Sequence, residues 1–233
     1  MHPRRRATFR SLKANKGGYN GGMRFLIVAA FLLFPQALYA APLAATRVIV
    51  LDAGHEPEEA MSRPAAATEK EFCLKIVTAL KELIEKENGQ AVTVVILSPA
   101  DKELRQREKA AAANKAGGNV FLAIHAAPAG TKLKRGLGVY IPDPGDAPPA
   151  SWRSTARNFA ENNQRLSQKL KTALQTLYPE SKVFSAAAPL YIFHGINMPA
   201  AAIETAGDGA DEPGFFDRAA QSLYDALAEF EKR

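Results

Sequence analysis

Two histidines and two glutamates, His55, Glu69, His125 and Glu204, lie far apart in this sequence, the last of them closing an apolar run. Two imidazoles and a carboxylate can hold Zn²⁺ with one coordination position left for water, and a further carboxylate can take that water's proton. His55, Glu69 and His125 together with Glu204 therefore have the residue types of a metal-assisted hydrolysis site. Taken singly, each has a plainer reading: a histidine after a strand is commonly hydrogen-bonded structure, and Glu69 alone is an ordinary acid early in a helix. Glu204 is harder to explain away, because a carboxylate ending the run Ala-Ala-Ala-Ile is costly to bury without a partner.

The elements that would position these groups alternate between strand and helix, the pattern of an α/β domain. Residues 47 to 52 form a nearly continuous apolar run, read as a buried strand with His55 just past its carboxyl end. Thr68 with Glu71 has the spacing of a capping box. Phe72, Ile76, Leu80, Leu83 and Ile84 then recur at helical spacing until Asn88 and Gly89. That reading puts Glu69 in the first helical turn, where the helix dipole favours its ionised form. Strands are also expected at 91 to 98, 119 to 125, 138 to 142, 189 to 193 and 200 to 204, and helices at 101 to 116, 154 to 178 and 217 to 230. A Pro/Gly-rich loop follows the fourth strand. The expected fold is a single α/β domain: a twisted, mostly parallel or mixed sheet of about six strands, with helices on both faces. His55, His125 and Glu204 all come at strand ends, and open α/β sheets bind ligands beyond the carboxyl ends of their strands.

Residues 1 to 40 read as a leader. From Met23 one basic residue precedes an apolar stretch, Phe25 to Phe34, and small residues surround Ala40, as in a secretory signal peptide. The stretch is shorter than the roughly 20 residues of a permanent span. Residues 1 to 22 fit a start assigned too early, with Met23 as the true initiator. A twin-arginine signal at Arg4 to Arg6 is the other reading, against which no Phe-Leu-Lys follows. The leader holds seven basic residues and no acid, more than the whole net charge of +6, so residues 41 to 233 are close to −1. A nucleic-acid partner argued from high pI thereby loses its support. A single cysteine, Cys73, excludes an internal disulfide and is read as a buried core thiol.

The segments Leu-Asp-Ala-Gly-His (51–55), Thr-Glu-Lys-Glu-Phe onward from 68, Asn-Val-Phe-Leu-Ala-Ile-His-Ala (119–126) and Met-Pro-Ala-Ala-Ala-Ile-Glu (198–204) resemble, in order and spacing, the zinc-dependent N-acetylmuramoyl-L-alanine amidases of the type 3 family. The resemblance spans almost all of residues 47 to 230. It implies one Zn²⁺ per chain, with His55, Glu69 and His125 as ligands and Glu204 as the catalytic residue. It further implies a peptidoglycan substrate, cut between N-acetylmuramic acid and L-alanine, and an exported protein of the periplasm or cell envelope. No permanent membrane span is expected, and the chain is expected to act as a monomer.

The departures from that pattern are local. Glu56 and Pro57 follow His55 where the family has two glycines, Ala126-Ala127 stands where Ala-Asn is usual, and a different turn follows Glu204. The family's arginine before an Ala-Asn pair is displaced: Arg107 lies seven residues before Asn114, two more than usual. His194 could face the cleft and meet the oxyanion or the peptide, or be an exposed loop histidine. Lys134 and Arg135 could meet substrate carboxylates or be solvated charges. Between the fourth strand and the long helix there is little room for the blocking helix some family members carry, so none is expected. Two other functions fit the same residues: a peptidoglycan-binding or regulatory module of weak or no turnover, and a zinc peptidase cutting within the stem peptide.

Overall fold

The computed structural model describes residues 43–54, 65–97, 99, 104–127, 137–143, 145, 155, 158–206 and 211–232. All of them belong to one compact unit, Ala40–Arg233. His55, Glu56, Pro57, Lys134, Arg135, the Pro/Gly-rich loop apart from residues 142, 143 and 145, and residues 1–40, where a leader is expected, lie outside the described residues.

Six strands form one sheet: β1 (Val48–Ala53), β2 (Thr93–Ile96), β3 (Val120–Ala127), β4 (Leu137–Pro142), β5 (Val183–Ala188) and β6 (Ala200–Ala206), in the order β2-β1-β3-β6-β4-β5. Pairings β1–β2, β1–β3, β3–β6 and β4–β5 are parallel, and β4–β6 is antiparallel. The central strands β1, β3 and β6 are apolar on both sides because both faces are covered. Among the described residues four helices cover them: α1 (Ala65–Asn88), α2 (Gln106–Lys115), α3 (Ala160–Leu177) and α4 (Phe215–Glu231).

The core is split by the sheet. On one face Leu51, Leu122, Ile124, Val139 and Ile203 pack against α1, α3 and α4. On the other, Val50, Phe121, Ala123 and Ala202 pack against Ala110 and Ala113 of α2 and the segment around Phe193 and Met198. Residues two apart share a face, so His125 projects with Phe121 and Ala123, and Glu204 with Ala202. Gly118 is required where β3 begins, since a Cβ there would stand 2.5 Å from Met198 Sδ and 2.7 Å from Val50 Cγ2.

Four expectations fail. The fifth strand is at Val183–Ala188, and residues 191–193 form a short 3-10 turn in place of a strand at 189 to 193. β5 is an edge strand of small residues, Val-Phe-Ser-Ala-Ala-Ala, partly exposed along most of its length, so it carries little of the apolar alternation that marks a strand. The capping box at Thr68 also fails, because α1 already runs from Ala65. Glu71, its supposed reciprocal partner, instead pairs with Lys75 Nζ at 2.8 Å. Glu69 is therefore in the second turn, and the helix dipole at its first turn has correspondingly less hold on it. Helix α3 begins regularly at Ala160, six residues later than expected.

Candidate active site

Three parallel strands carry their carboxyl ends to the same edge of the sheet. β1 ends at Ala53, and the Gly54 N–H continues its ladder by donating to the Ile124 carbonyl at 2.8 Å. Gly54 is the last described residue before His55. Its φ of 71° is the left-handed region, and a Cβ there would lie 3.1 Å from Lys70 Cα, so glycine lets the strand end press against α1. Beside it on β3 is half-buried His125, and His125 is in direct register with half-buried Glu204 on β6.

Glu69 reaches the same place from α1. It is buried, and its Oε1 accepts the N–H of Ala126 at 3.2 Å, the residue after His125. That bond compensates part of the cost of enclosing a carboxylate. Of the four residues singled out by type, the structure thus brings Glu69, His125 and Glu204 together at one strand edge, while His55 lies outside the described residues. Among the described residues no three His, Cys, Asp or Glu side chains form a metal-holding group. Glu69 and His125 nevertheless suit a zinc site: one oxygen and one nitrogen donor, held by adjacent backbone, at the edge where the chain leads into His55.

Aromatic packing ties the two acids to a common anchor. Phe72, three residues after Glu69, meets Phe215 and Phe216 of α4 at centroid distances of 5.8 and 5.5 Å. Phe215 also meets Tyr178 at 6.2 Å. The Tyr178 hydroxyl donates to the Ala206 carbonyl at 2.9 Å and accepts from the Thr205 hydroxyl at 2.7 Å, fixing the two residues after Glu204. On the other side, the Tyr140 hydroxyl donates to Glu204 Oε2 at 3.3 Å.

Beneath the site lies an ion pair that the sequence reading missed. Lys109 Nζ stands 2.9 Å from Asp52 Oδ2, with the side chains 2% and 0% exposed. Lys109 is five residues before Asn114, the spacing at which the family places its arginine, whereas Arg107 is exposed. The signal was legible: Gln106, Lys109, Ala110 and Ala113 are the buried stripe of α2, at helical spacing. Asp52 Oδ1 has no partner among the described residues. Tyr140 was missed as well, although it alternates with core-facing Val139 and Ile141 and so had to face the other side of the sheet. His194 is half-buried at the end of the 3-10 turn, its ring edge-on to exposed Tyr191 at 5.0 Å.

Cys73, one turn beyond Glu69, is fully buried. Burial pushes its thiol well above the ordinary range, and the charges of Glu69 and Asp52 push it further, against a smaller downward pull from a backbone hydrogen bond with Gly54. The native protein is accordingly expected to resist labelling by a thiol-reactive dye and to label once only in denaturant; rapid native labelling would contradict the burial. Since the folded state favours the neutral thiol, its contribution to stability is whole below the ordinary thiol pKa of about 8.5 and is lost as pH rises above it.

The family profile of the N-acetylmuramoyl-L-alanine amidases matches residues 49–207. Among solved structures, the amidase AmiC2 of Nostoc punctiforme is 17% identical with a TM-score of 0.60, over 80% of this chain and 98% of that one. An N-acetylmuramoyl-L-alanine amidase of Clostridium difficile 630 gives 15% and 0.61, over 80% and 97%. The catalytic domain of the amidase CwlV, from Bacillus (Paenibacillus) polymyxa var. colistinus, gives 20% and 0.57, over 80% and 98%. No curated protein matches by sequence at a significant level. At such identities the structures speak for the fold; the profile, which runs from β1 through β6 and takes in Glu69, His125 and Glu204, shows that the chain belongs to the N-acetylmuramoyl-L-alanine amidase family.

Proposed function

We propose that the protein is an exported, Zn²⁺-dependent hydrolase of the cell envelope that cuts the amide between the lactyl group of N-acetylmuramic acid and the L-alanine of the peptidoglycan stem. The observation that carries this reading is the register of β3 and β6, which sets Glu204 directly beside His125 while Glu69 is bonded to the next backbone amide. His55, Glu69 and His125 would hold one ion per chain. Bound there, Zn²⁺ supplies a Lewis acid for the amide carbonyl and brings a water molecule's pKa to about 7.

The chain's own residues do the rest. Glu204, the carboxylate that is not a ligand, accepts a proton from the attacking water and passes it to the departing alanine nitrogen, so that a free amine and a free lactyl carboxylate result. Glu69 serves as a ligand, with the Ala126 N–H holding its orientation. Arg135 and His194 are proposed contacts for the stem peptide. Among the described residues no helix is long and apolar enough to cross a membrane. The proposed enzyme acts as a monomer on the wall polymer.

Mass analysis of fragments from purified sacculi tests the bond. Intact stem peptides with a free amino-terminal alanine are expected; shortened stems still attached to muramic acid would contradict the assignment and indicate a peptidase.

A further inference from the structure

On the face of the sheet that carries His125 and Glu204, β4 runs antiparallel to β6 with Gly138 directly opposite Glu204 and Tyr140 opposite Ala202. Tyr140 is therefore the diagonal neighbour of Glu204, about 7 to 8 Å away at the backbone and within reach of an aromatic side chain. Its ring can lean toward Glu204 only across position 138, and that position has no side chain. A Cβ on Gly138 would stand 2.9 Å from Tyr140 Cε2 and 2.8 Å from Phe184 Cζ. Phe184 on β5 closes the other side of the ring, edge-on at 5.5 Å and 86°. Glycine, phenylalanine and tyrosine thus form a seat that aims one phenol at one carboxylate. The Tyr140 hydroxyl donates to Glu204 Oε2 at 3.3 Å, longer than the roughly 2.7 Å usual for O–H···O, as catalytic hydrogen bonds commonly are before substrate binds.

We propose that Tyr140 is the positioning residue for Glu204: its phenol occupies Oε2 and so leaves Oε1 directed at the water and the leaving nitrogen. This rests on the amidase reading above. Without that bond the carboxylate rotates about its last torsion, and the productive orientation becomes one of several. Catalysis then falls while the ligands, the ring packing and the fold stay as they are.

Tyr140→Phe removes the hydroxyl and keeps the ring. Expected on sacculi is a fall in kcat of about ten- to a hundredfold, the range for loss of a hydrogen bond to a charged group. KM should stay within about twofold, since the bond touches no substrate, and zinc content and unfolding midpoint should stay at wild-type values. In a Glu204→Gln background the same change should have almost no further effect, as for two members of one unit. A wild type that cleaves, with Tyr140→Phe matching it in kcat, overturns this inference alone; so does loss of zinc or of folding stability in Tyr140→Phe. A wild type that releases no stem peptide overturns the amidase reading and this inference with it.

Discussion

Glu204→Gln is expected to lose about 10²- to 10⁴-fold in kcat on peptidoglycan while keeping the zinc content and unfolding midpoint of the wild type. The loss corresponds to about 3 to 5 kcal/mol of transition-state stabilisation. The amide fills the space of the carboxylate and can still accept from the Tyr140 hydroxyl, so the seat on β6 is preserved. What it lacks is the ability to take a proton and return it. Thr205, Ala206 and Tyr178 hold the strand end independently of the acid, which is why the change should leave stability alone. Steady-state release of stem peptide, with metal analysis and thermal unfolding on the same samples, checks the three expectations together. A Glu204→Gln enzyme within a few-fold of wild type would remove the proton-transfer role from this residue.

Lys109→Met is expected to cost about 3 to 5 kcal/mol of folding stability, the range for breaking a buried ion pair and stranding its partner. Asp52 is fully enclosed, Lys109 is its bonded cation, and the second carboxylate oxygen has no partner among the described residues, so nothing else on hand takes up the charge. Replacing both residues, as Asp52→Leu with Lys109→Met, should recover most of the loss, because two apolar groups of similar size remove the buried charges together. Denaturant unfolding of the two single variants and the double variant closes the cycle. A single-variant cost below about 1 kcal/mol would show the pair to be solvated in solution. The pair fastens α2 to β1 three residues before His55, so its main product is a fixed platform under the site.

Much of this architecture was legible from residues alone, and for identifiable reasons. β1, β3 and β6 are continuous apolar runs, so their presence and their parallel, doubly covered setting follow from composition. Their shared direction then brings His125 and Glu204 to one edge without any long-range information. The residues that escaped did so because their signals are relational. β5 is an edge strand whose small residues have little to bury. Lys109 reads as one more charge in a charged helix until it is placed on the stripe of Gln106, Ala110 and Ala113 and matched to the lone acid of β1. Tyr140 gains its meaning only from the antiparallel register that sets Gly138 opposite Glu204. The true start of α1 was hidden because the Thr68–Glu71 spacing imitates a cap inside a helix already formed.

In the proposed enzyme one zinc ion sits between His55, Glu69 and His125, with Glu204 beside it but outside its coordination. Elemental analysis of the purified protein and of four variants tests this most directly. About one zinc per chain is expected in the wild type and in Glu204→Gln, and a large loss in His55→Ala, Glu69→Gln and His125→Ala that remain folded. A folded His125→Ala or Glu69→Gln protein holding zinc as the wild type does, or an active wild type holding none, would contradict it.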